Sequence, residues 1–357
     1  MVVMIGTALP TRGGVAAVVR VYECQGLLSR EDVQYIATHS DGTRLEKLVV
    51  ALRAMGRYWL ALLLGRVTLL HVHSASGPSF WRKCCFMLPT LALGKPVVLH
   101  WHGGGFVAFF QRCNGVQQRL IRWVFRRCAR VVALSPEWRD TLATYCPGSR
   151  VVVIPNPVEV PSMAAPLDLQ PPTVLFLGMV HVNKGIYDLL RAWREVVAQV
   201  PDARLQIGGV GDVEAAQAEA QNLKLGESVQ WLGWVSGETK QQALRQSAML
   251  VLPSHAEAMP MAVLEAMATG VPVVASAVGG IPQAVRDGVD GLLVQPKDPQ
   301  GLAAALLQLL QDGALRRRMG ASARQRIQEV FAAERLVPQI EQLWQDVHNQ
   351  EWARRPS

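Results

Sequence analysis

Short runs of apolar, often β-branched residues alternate along this chain with longer stretches whose apolar positions recur every three to four residues. In the first half Val2–Ile5, Leu69–Val72, Pro96–His100, Val131–Leu134 and Val151–Ile154 read as buried strands. In the second half Val174–Leu177, Arg204–Ile207, Val229–Leu232, Met249–Leu252, Pro272–Ala275 and Gly291–Val294 read the same way. Continuous apolar runs mark strands covered on both faces, and strand–helix alternation builds parallel sheets. Helical spacing fills the intervals, as in Ile186–Val200, Leu302–Gln311 and a tail helix over Arg335–Val347 with Trp344 in its apolar stripe. The fold class expected is α/β, with two doubly wound Rossmann-like domains.

The chain's 357 residues, half of them hydrophobic, are too many for one ordinary α/β unit. From Pro155 to Pro172 there are six prolines in 18 residues, which favours an extended connection over a helix or strand. The expected boundaries are a first domain over 1–157, a proline-rich linker over 158–172 and a second domain over 173–334.

Charge divides at the same place. Residues 1–157 hold 19 Lys+Arg against 7 Asp+Glu, a net of +12, and the remainder hold 17 against 21, a net of −4. Only the first domain is suited to a polyanion: nucleic acid, an anionic membrane surface or a phosphorylated acceptor. Within it Leu45–Leu64 and Arg112–Val132 mix Arg with Leu, Val and Trp, as a surface-lying helix does. The competing reading is that these helices turn their apolar faces inward and leave Arg to solvent. No run approaches the roughly 18 apolar residues of a spanning helix. All six cysteines lie in the basic half without a CxxC pair, and MVVMIGTALP has no charged leader, so a reducing cytoplasm is expected.

Ligands of open α/β sheets bind beyond the carboxyl ends of strands, at helix N-termini. Four such junctions carry unusual residues. LPTRGGV places Gly13 and Gly14 between a strand and a helix. LHWHGGGF ends a strand on His100 and His102, and His71 and His73 form a similar pair at an earlier strand end. Paired histidines are common metal ligands, but nearby sequence supplies no carboxylate, so histidines satisfied at strand ends are the expected state and no metal site is assigned. GMVHVNKG puts Lys184 where a helix opens. LPSHAEAMPMAVLEAMATGVPVV is the strongest signal. Pro260 fits a first helical turn, and the N–H groups of Met261, Ala262 and Val263 are then free to accept a diphosphate. Glu257 before that turn and Glu265 after it suit sugar hydroxyls.

At these residues the chain resembles glycosyltransferase family 4, retaining enzymes of the GT-B fold. The resemblance rests on the order of motifs: Glu257, seven residues, Glu265, then EAMATGVPVVASAVGGIPQAVRDGVDGLLV, with LFLGMVHVNKG, LQIGGVGD and VQWLGWV upstream. The RGGV loop and the HGGG strand end carry a looser match in the first half. The resemblance implies two domains facing each other across a cleft, a hinge at the linker and a tail helix, 335–357, crossing back to the first domain. It implies that Glu265 binds the donor ribose, Glu257 contacts the transferred sugar, Lys184 neutralises the diphosphate, Gly14 lines the phosphate approach and His102 the reaction centre. Gly13, His181, Gly209 and Trp234 are further candidates for phosphate or base-loop contacts.

Three positions depart from the family pattern. Met179 stands where an Arg is usual on the diphosphate, with His181 the nearest substitute; Ala258 replaces a frequent Gly and Gln283 a frequent Glu. No Asp-x-Asp occurs, so the leaving diphosphate is expected to be stabilised by helix N-termini and Lys184 without a metal ion or cofactor. The implied activity is retaining transfer of a sugar from a nucleotide-diphosphate sugar to a lipid-linked or cell-surface glycan precursor, by a peripheral protein on the inner face of a membrane. The alternative is a nucleotide-sugar-binding protein of the same fold with impaired catalysis. A nucleic-acid partner is not expected, because the basic residues accompany enzyme-like glycine loops.

Overall fold

The computed structural model describes residues 1–166 and 172–353. The first sheet is formed by β1 (Val2–Gly6), β2 (Val33–Ala37), β3 (Leu69–Ser74), β4 (Val97–Trp101), β5 (Arg130–Ala133) and β6 (Val151–Val153), parallel, in the order β2-β1-β3-β4-β5-β6. Its helices are α1 (Gly14–Cys24), α2 (Arg44–Leu63), α3 (Pro78–Ala92), α4 (Phe106–Arg112), α5 (Gly115–Arg127) and α6 (Pro136–Tyr145). The second sheet has β7 (Thr173–Leu177), β8 (Arg204–Gly208), β9 (Val229–Gly233), β10 (Met249–Leu252), β11 (Val273–Ser276) and β12 (Gly291–Val294), parallel, in the order β12-β11-β10-β7-β8-β9. Around it lie α7 (Ile186–Gln199), α8 (Val213–Asn222), α9 (Gly237–Arg245), α10 (Met261–Thr269), α11 (Ile281–Ala284), α12 (Pro299–Gln311) and α13 (Gly313–Arg326). A last helix, α14 (Ala333–Ala353), follows.

These elements form two compact units. Unit 1 is Met1–Pro157 together with the chain from Ala333 on, and unit 2 is Val158–Ala332. The α/β class expected from the apolar runs is the fold observed. β2 had no such run. It is an edge strand with only Val33 and Ile36 buried, so its pattern is broken by half-exposed Gln34 and Tyr35. The central strands are buried throughout, as strands covered on both faces must be. The described part of the proline-rich stretch, 158–166, is laid along unit 2: Ala165 N–H donates to Thr269 O (2.8 Å) and Arg324 donates to Pro161 O. Residues 167–171 of the predicted linker, and the end of the predicted tail helix beyond 353, lie outside the described residues.

The two stretches read as surface-lying differ. α2 leaves Leu45, Leu48, Leu52, Leu60 and Leu63 exposed on one side, beside Arg44, Arg53 and Arg57. α5 buries Ile121, Val124 and Phe125 and exposes Arg119, Arg126 and Arg127 together with Val116 and Trp123, and Arg122 stacks over Phe110. Beyond α5 the predicted stretch runs into buried β5, so Arg112–Val132 is not one surface helix. The inward-facing reading therefore describes α5 and not α2. Among the described residues no helix is long and apolar enough to cross a membrane.

Candidate functional site

In unit 2 the unusual residues converge on the N-terminus of α10. β10 ends at Leu252, and residues 253–260 lead into the helix. Pro260 is the N-cap residue rather than a residue of the first turn, and no side chain caps the helix. The N–H groups of Met261, Ala262 and Val263 therefore have no acceptor within the helix, and the positive end of its dipole is open to an anion.

Glu257 and Glu265 flank this end, and each already holds a cation. Glu257 is 8% exposed and accepts from Lys184 Nζ (2.5 Å) and Ser254 Oγ (2.8 Å). Glu265, on the helix, accepts from Lys240 Nζ (2.6 Å), with both side chains under one-fifth exposed. Lys240 comes from α9. Nothing in its local sequence, GETKQQ, distinguishes it from a solvent-facing lysine; only the tertiary packing of α9 on α10 brings it to Glu265.

The loop that delivers Glu257 is clamped on both sides. Gly185, at φ +70, lets the 181–185 turn approach Pro253 so closely that a Cβ would stand 1.9 Å from Pro253 O. His255 N–H donates to Asn183 O (2.9 Å), and Gly280 N–H donates to Ala258 O (2.7 Å). His255 Nε2 also meets Asp188 Oδ2 of α7 at 2.7 Å. The turn carrying Lys184 and the loop carrying Glu257 thus act as one piece. Gly209 permits a second close approach: its absent Cβ would lie 1.9 Å from Gly178 O, at the carboxyl ends of β7 and β8.

His181 is half-exposed. Its Nδ1 accepts from Asn183 N–H (3.2 Å) and its Nε2 lies 4.0 Å from Asp212 Oδ2. Met179, where a cation was expected, is 43% exposed. Trp234 is half-buried just beyond β9.

Unit 1 holds the other candidates at the carboxyl edge of its sheet. Gly13, at φ +130, precedes α1, and Gly14 opens that helix with open space at its Cβ position. His102 follows β4, and its N–H donates to Ser74 O (2.8 Å). The register pairs His73 with His100, so the two histidine pairs read separately in the sequence form one stack. His100 and His102 lie 4.3 Å apart between centroids, and His73 Nδ1 meets His102 Nε2 at 2.8 Å. Burial pushes His71 and His102 down to about 3, the positive potential of His102 adding to the shift at His71 and a hydrogen bond with Asn156 opposing it at His102. Burial also holds His73 and His100 well below the ordinary range.

Nitrogens of His71, His73 and His100 lie within 4.8 Å of one another, a grouping a metal ion could occupy. The hydrogen bonds argue otherwise. Trp344 of α14 donates its indole N–H to His71 Nδ1 (2.8 Å), and an indole can only donate. The proton of neutral His71 therefore sits on Nε2, which faces His100 Nδ1 at 3.3 Å and donates to it. His100 in turn carries its proton on Nε2, which is buried without a partner among the described residues. On that assignment neither His71 nor His100 has a lone pair left for a metal, and Trp344, His71 and His100 form a directional hydrogen-bonded ladder.

Residues 163–326 match the family model described as glycosyl transferases group 1, and residues 1–160 match that of glycosyltransferase family 4. An N-acetyl-alpha-D-glucosaminyl L-malate synthase of Bacillus anthracis is 33% identical over 175 residues, 47% of this chain and 45% of that protein. A phosphatidyl-myo-inositol mannosyltransferase of Mycolicibacterium smegmatis is 38% identical over 187 residues, 50% of this chain and 48% of that protein. The chain thus spans about half the length of these curated relatives. Among solved structures, a sucrose-phosphate synthase from Thermosynechococcus elongatus superposes with a TM-score of 0.83 at 21% identity, covering 98% of this chain and 99% of that one. Anabaena HepE in complex with UDP-glucose gives 0.78 at 16% identity, covering 97% and 99%. Those likenesses show the GT-B fold. The two family models together account for nearly the whole chain, which belongs to glycosyltransferase family 4.

Proposed function

We propose that this chain moves a sugar from a nucleotide-diphosphate sugar to a glycan acceptor, with retention at the anomeric carbon and without a metal ion or cofactor. The observation that carries this is the uncapped N-terminus of α10 set between two lysine–glutamate pairs. The donor diphosphate lies on the N–H groups of Met261–Val263, and Lys184 exchanges Glu257 for phosphate oxygens. Glu265 accepts from the ribose hydroxyls, and Lys240 holds that carboxylate in place. Glu257, released from Lys184, accepts from hydroxyls of the transferred sugar. As the bond to the diphosphate breaks, charge grows on the leaving oxygens, where helix dipole and lysine stabilise it. His102 serves the acceptor side, where unit 1 supplies the basic surface.

The acceptor is a lipid-linked oligosaccharide or polysaccharide precursor at the inner, anionic face of a membrane. The exposed leucines of α2, bordered by arginines, support this, as does the resemblance to a phosphatidyl-myo-inositol mannosyltransferase. Attachment through a helix face and about 1 kcal/mol per basic residue is reversible. Met179 favours a second reading, a donor-binding protein with impaired catalysis, because its exposed thioether supplies no charge to the diphosphate.

The test is donor turnover in EDTA, with the anomeric configuration of the product read by NMR. Full activity in chelator with a retained configuration is the expected result. Loss of turnover that manganese restores overturns metal independence. Nucleotide binding with neither transfer nor donor hydrolysis favours the second reading.

A further inference from the structure

Unit 1 contains a buried basic group that the reaction described above does not use. Lys83, on α3, is 1% exposed. Its Nζ donates to Gly6 O (3.3 Å) at the end of β1 and to Thr38 Oγ1 just beyond β2. Both acceptors are neutral, and Lys83 makes no ion pair among the described residues. A buried ammonium without a carboxylate is costly, and a methionine would fill the same volume without that cost.

The surroundings add positive charge instead of cancelling it. Arg82, the neighbouring residue, is half-buried, and its Nε has no hydrogen-bond partner among the described residues. Burial, with Arg82 second, holds Lys83 well below the usual lysine range. His39, on the loop after β2, is held down by burial and then by Arg82, Lys47 and Lys83, with Asp41 opposing. The two loops at this edge are stitched together: Ala8 N–H donates to His39 O (2.7 Å) and Arg12 N–H to Asp41 Oδ2 (2.9 Å). Between them Thr11 is 5% exposed, with its hydroxyl unpartnered among the described residues. Two cations, a buried amine, one carboxylate and an unused donor thus gather at the carboxyl edge of β1 and β2.

We propose that this edge is an anion subsite, in which Arg82 and Lys47, backed by buried Lys83, bind a phosphoryl group of the acceptor. The inference rests on the transferase reading for its word acceptor, but the site itself does not. A phosphate here offers Arg82 a bidentate partner and gives Lys83 the counter-charge it lacks. The phosphoryl group belongs either to a soluble phosphomonoester or to a lipid headgroup.

Glycerol 3-phosphate binding, measured by calorimetry at fixed ionic strength, tests the subsite. The wild-type chain binds it, and Arg82→Gln and Lys83→Met each weaken binding about tenfold or more. Lys83→Met also melts at a higher temperature than wild type without the anion, which shows that it folds. Sedimentation with phosphatidylglycerol vesicles separates the sources: Arg82-dependent binding that glycerol 3-phosphate displaces assigns a lipid headgroup, and Arg82-independent binding assigns a soluble phosphomonoester. Unchanged affinity for glycerol 3-phosphate in both variants overturns the subsite. Uridine, guanosine and adenosine diphosphates, titrated into the same proteins, keep the two readings apart. A wild type that binds none of them, yet binds glycerol 3-phosphate through Arg82, retains the subsite and loses the donor reading.

Discussion

Around α10 in unit 2, Glu257 faces Lys184, Glu265 faces Lys240 and Asp188 meets His255. In unit 1 the corresponding edge buries three imidazoles and one amine and half-buries a fourth imidazole, and their hydrogen-bond partners are a carbonyl, a hydroxyl, an indole, the Asn156 side chain and one another. In the first arrangement each carboxylate has a basic partner within reach, so an incoming ligand exchanges one partner for another. The second keeps its imidazoles neutral by denying them water and counter-ions. Unit 2 thus pairs each acid with a base, whereas the polar core of unit 1 tolerates charge only when charge is brought to it.

Acid offers the most forceful way to break this contrast. His71 and His102 take up protons near 6.5 in the unfolded chain but only near 3 in the folded one. Stability is therefore present above 6.5 and is lost as pH falls through that window, at about 1.4 kcal/mol per pH unit for each ring, or about 4 kcal/mol for the two by pH 5. In unit 2 burial pushes Asp290 up, but Arg286 and Ser322 outweigh it and leave the carboxyl below its usual range, so its contribution is lost only in stronger acid. Hydrogen exchange, corrected for intrinsic rates, should show β3 and β4 opening before β10 and β11 between pH 7 and 5. Simultaneous opening would remove the distinction.

Glu257→Gln comes next in size. It should lower turnover about 100-fold, the scale for losing one preorganised polar group at a reacting centre, with little change in nucleoside-diphosphate affinity. Glu265→Ala should do the reverse, weakening the nucleoside diphosphate by about 2 kcal/mol, a factor of about thirty, for the loss of a charged hydrogen bond. Equal effects of both on the bare nucleotide, measured by calorimetry, would merge the two roles. The smallest effect distinguishes the units at a membrane. Arg57→Gln on α2 should cost about 1 kcal/mol of binding to anionic vesicles, roughly fivefold, while Lys224→Gln on unit 2 should leave sedimentation unchanged.

Much of this is legible in the sequence. Central strands announce themselves because both faces are covered, and the order of glycine loops and glutamates locates the helix end that offers free N–H groups. Edge strand β2 was silent because half its side chains meet solvent. Lys240 and Lys83 were silent for another reason. Local sequence gives a lysine's charge but not its partner, and WRKCCF suits a surface helix as well as one that buries its amine under β1. The histidines were visible as two pairs. Only the register of β3 on β4, which local sequence does not fix, turns them into a ladder.

The indole of Trp344 that sets the direction of this ladder arrives late. Translation runs from the N-terminus towards the C-terminus, so all of unit 2 leaves the ribosome before α14 does. Unit 2, contiguous in the chain, can finish folding during synthesis. Unit 1, begun first, must wait with His71 unanchored and the face meant for α14 uncovered until α14 emerges. A translational pause or truncation ahead of Trp344 should therefore leave a nascent chain whose later-made half is complete and whose earlier-made half is the one chaperones hold.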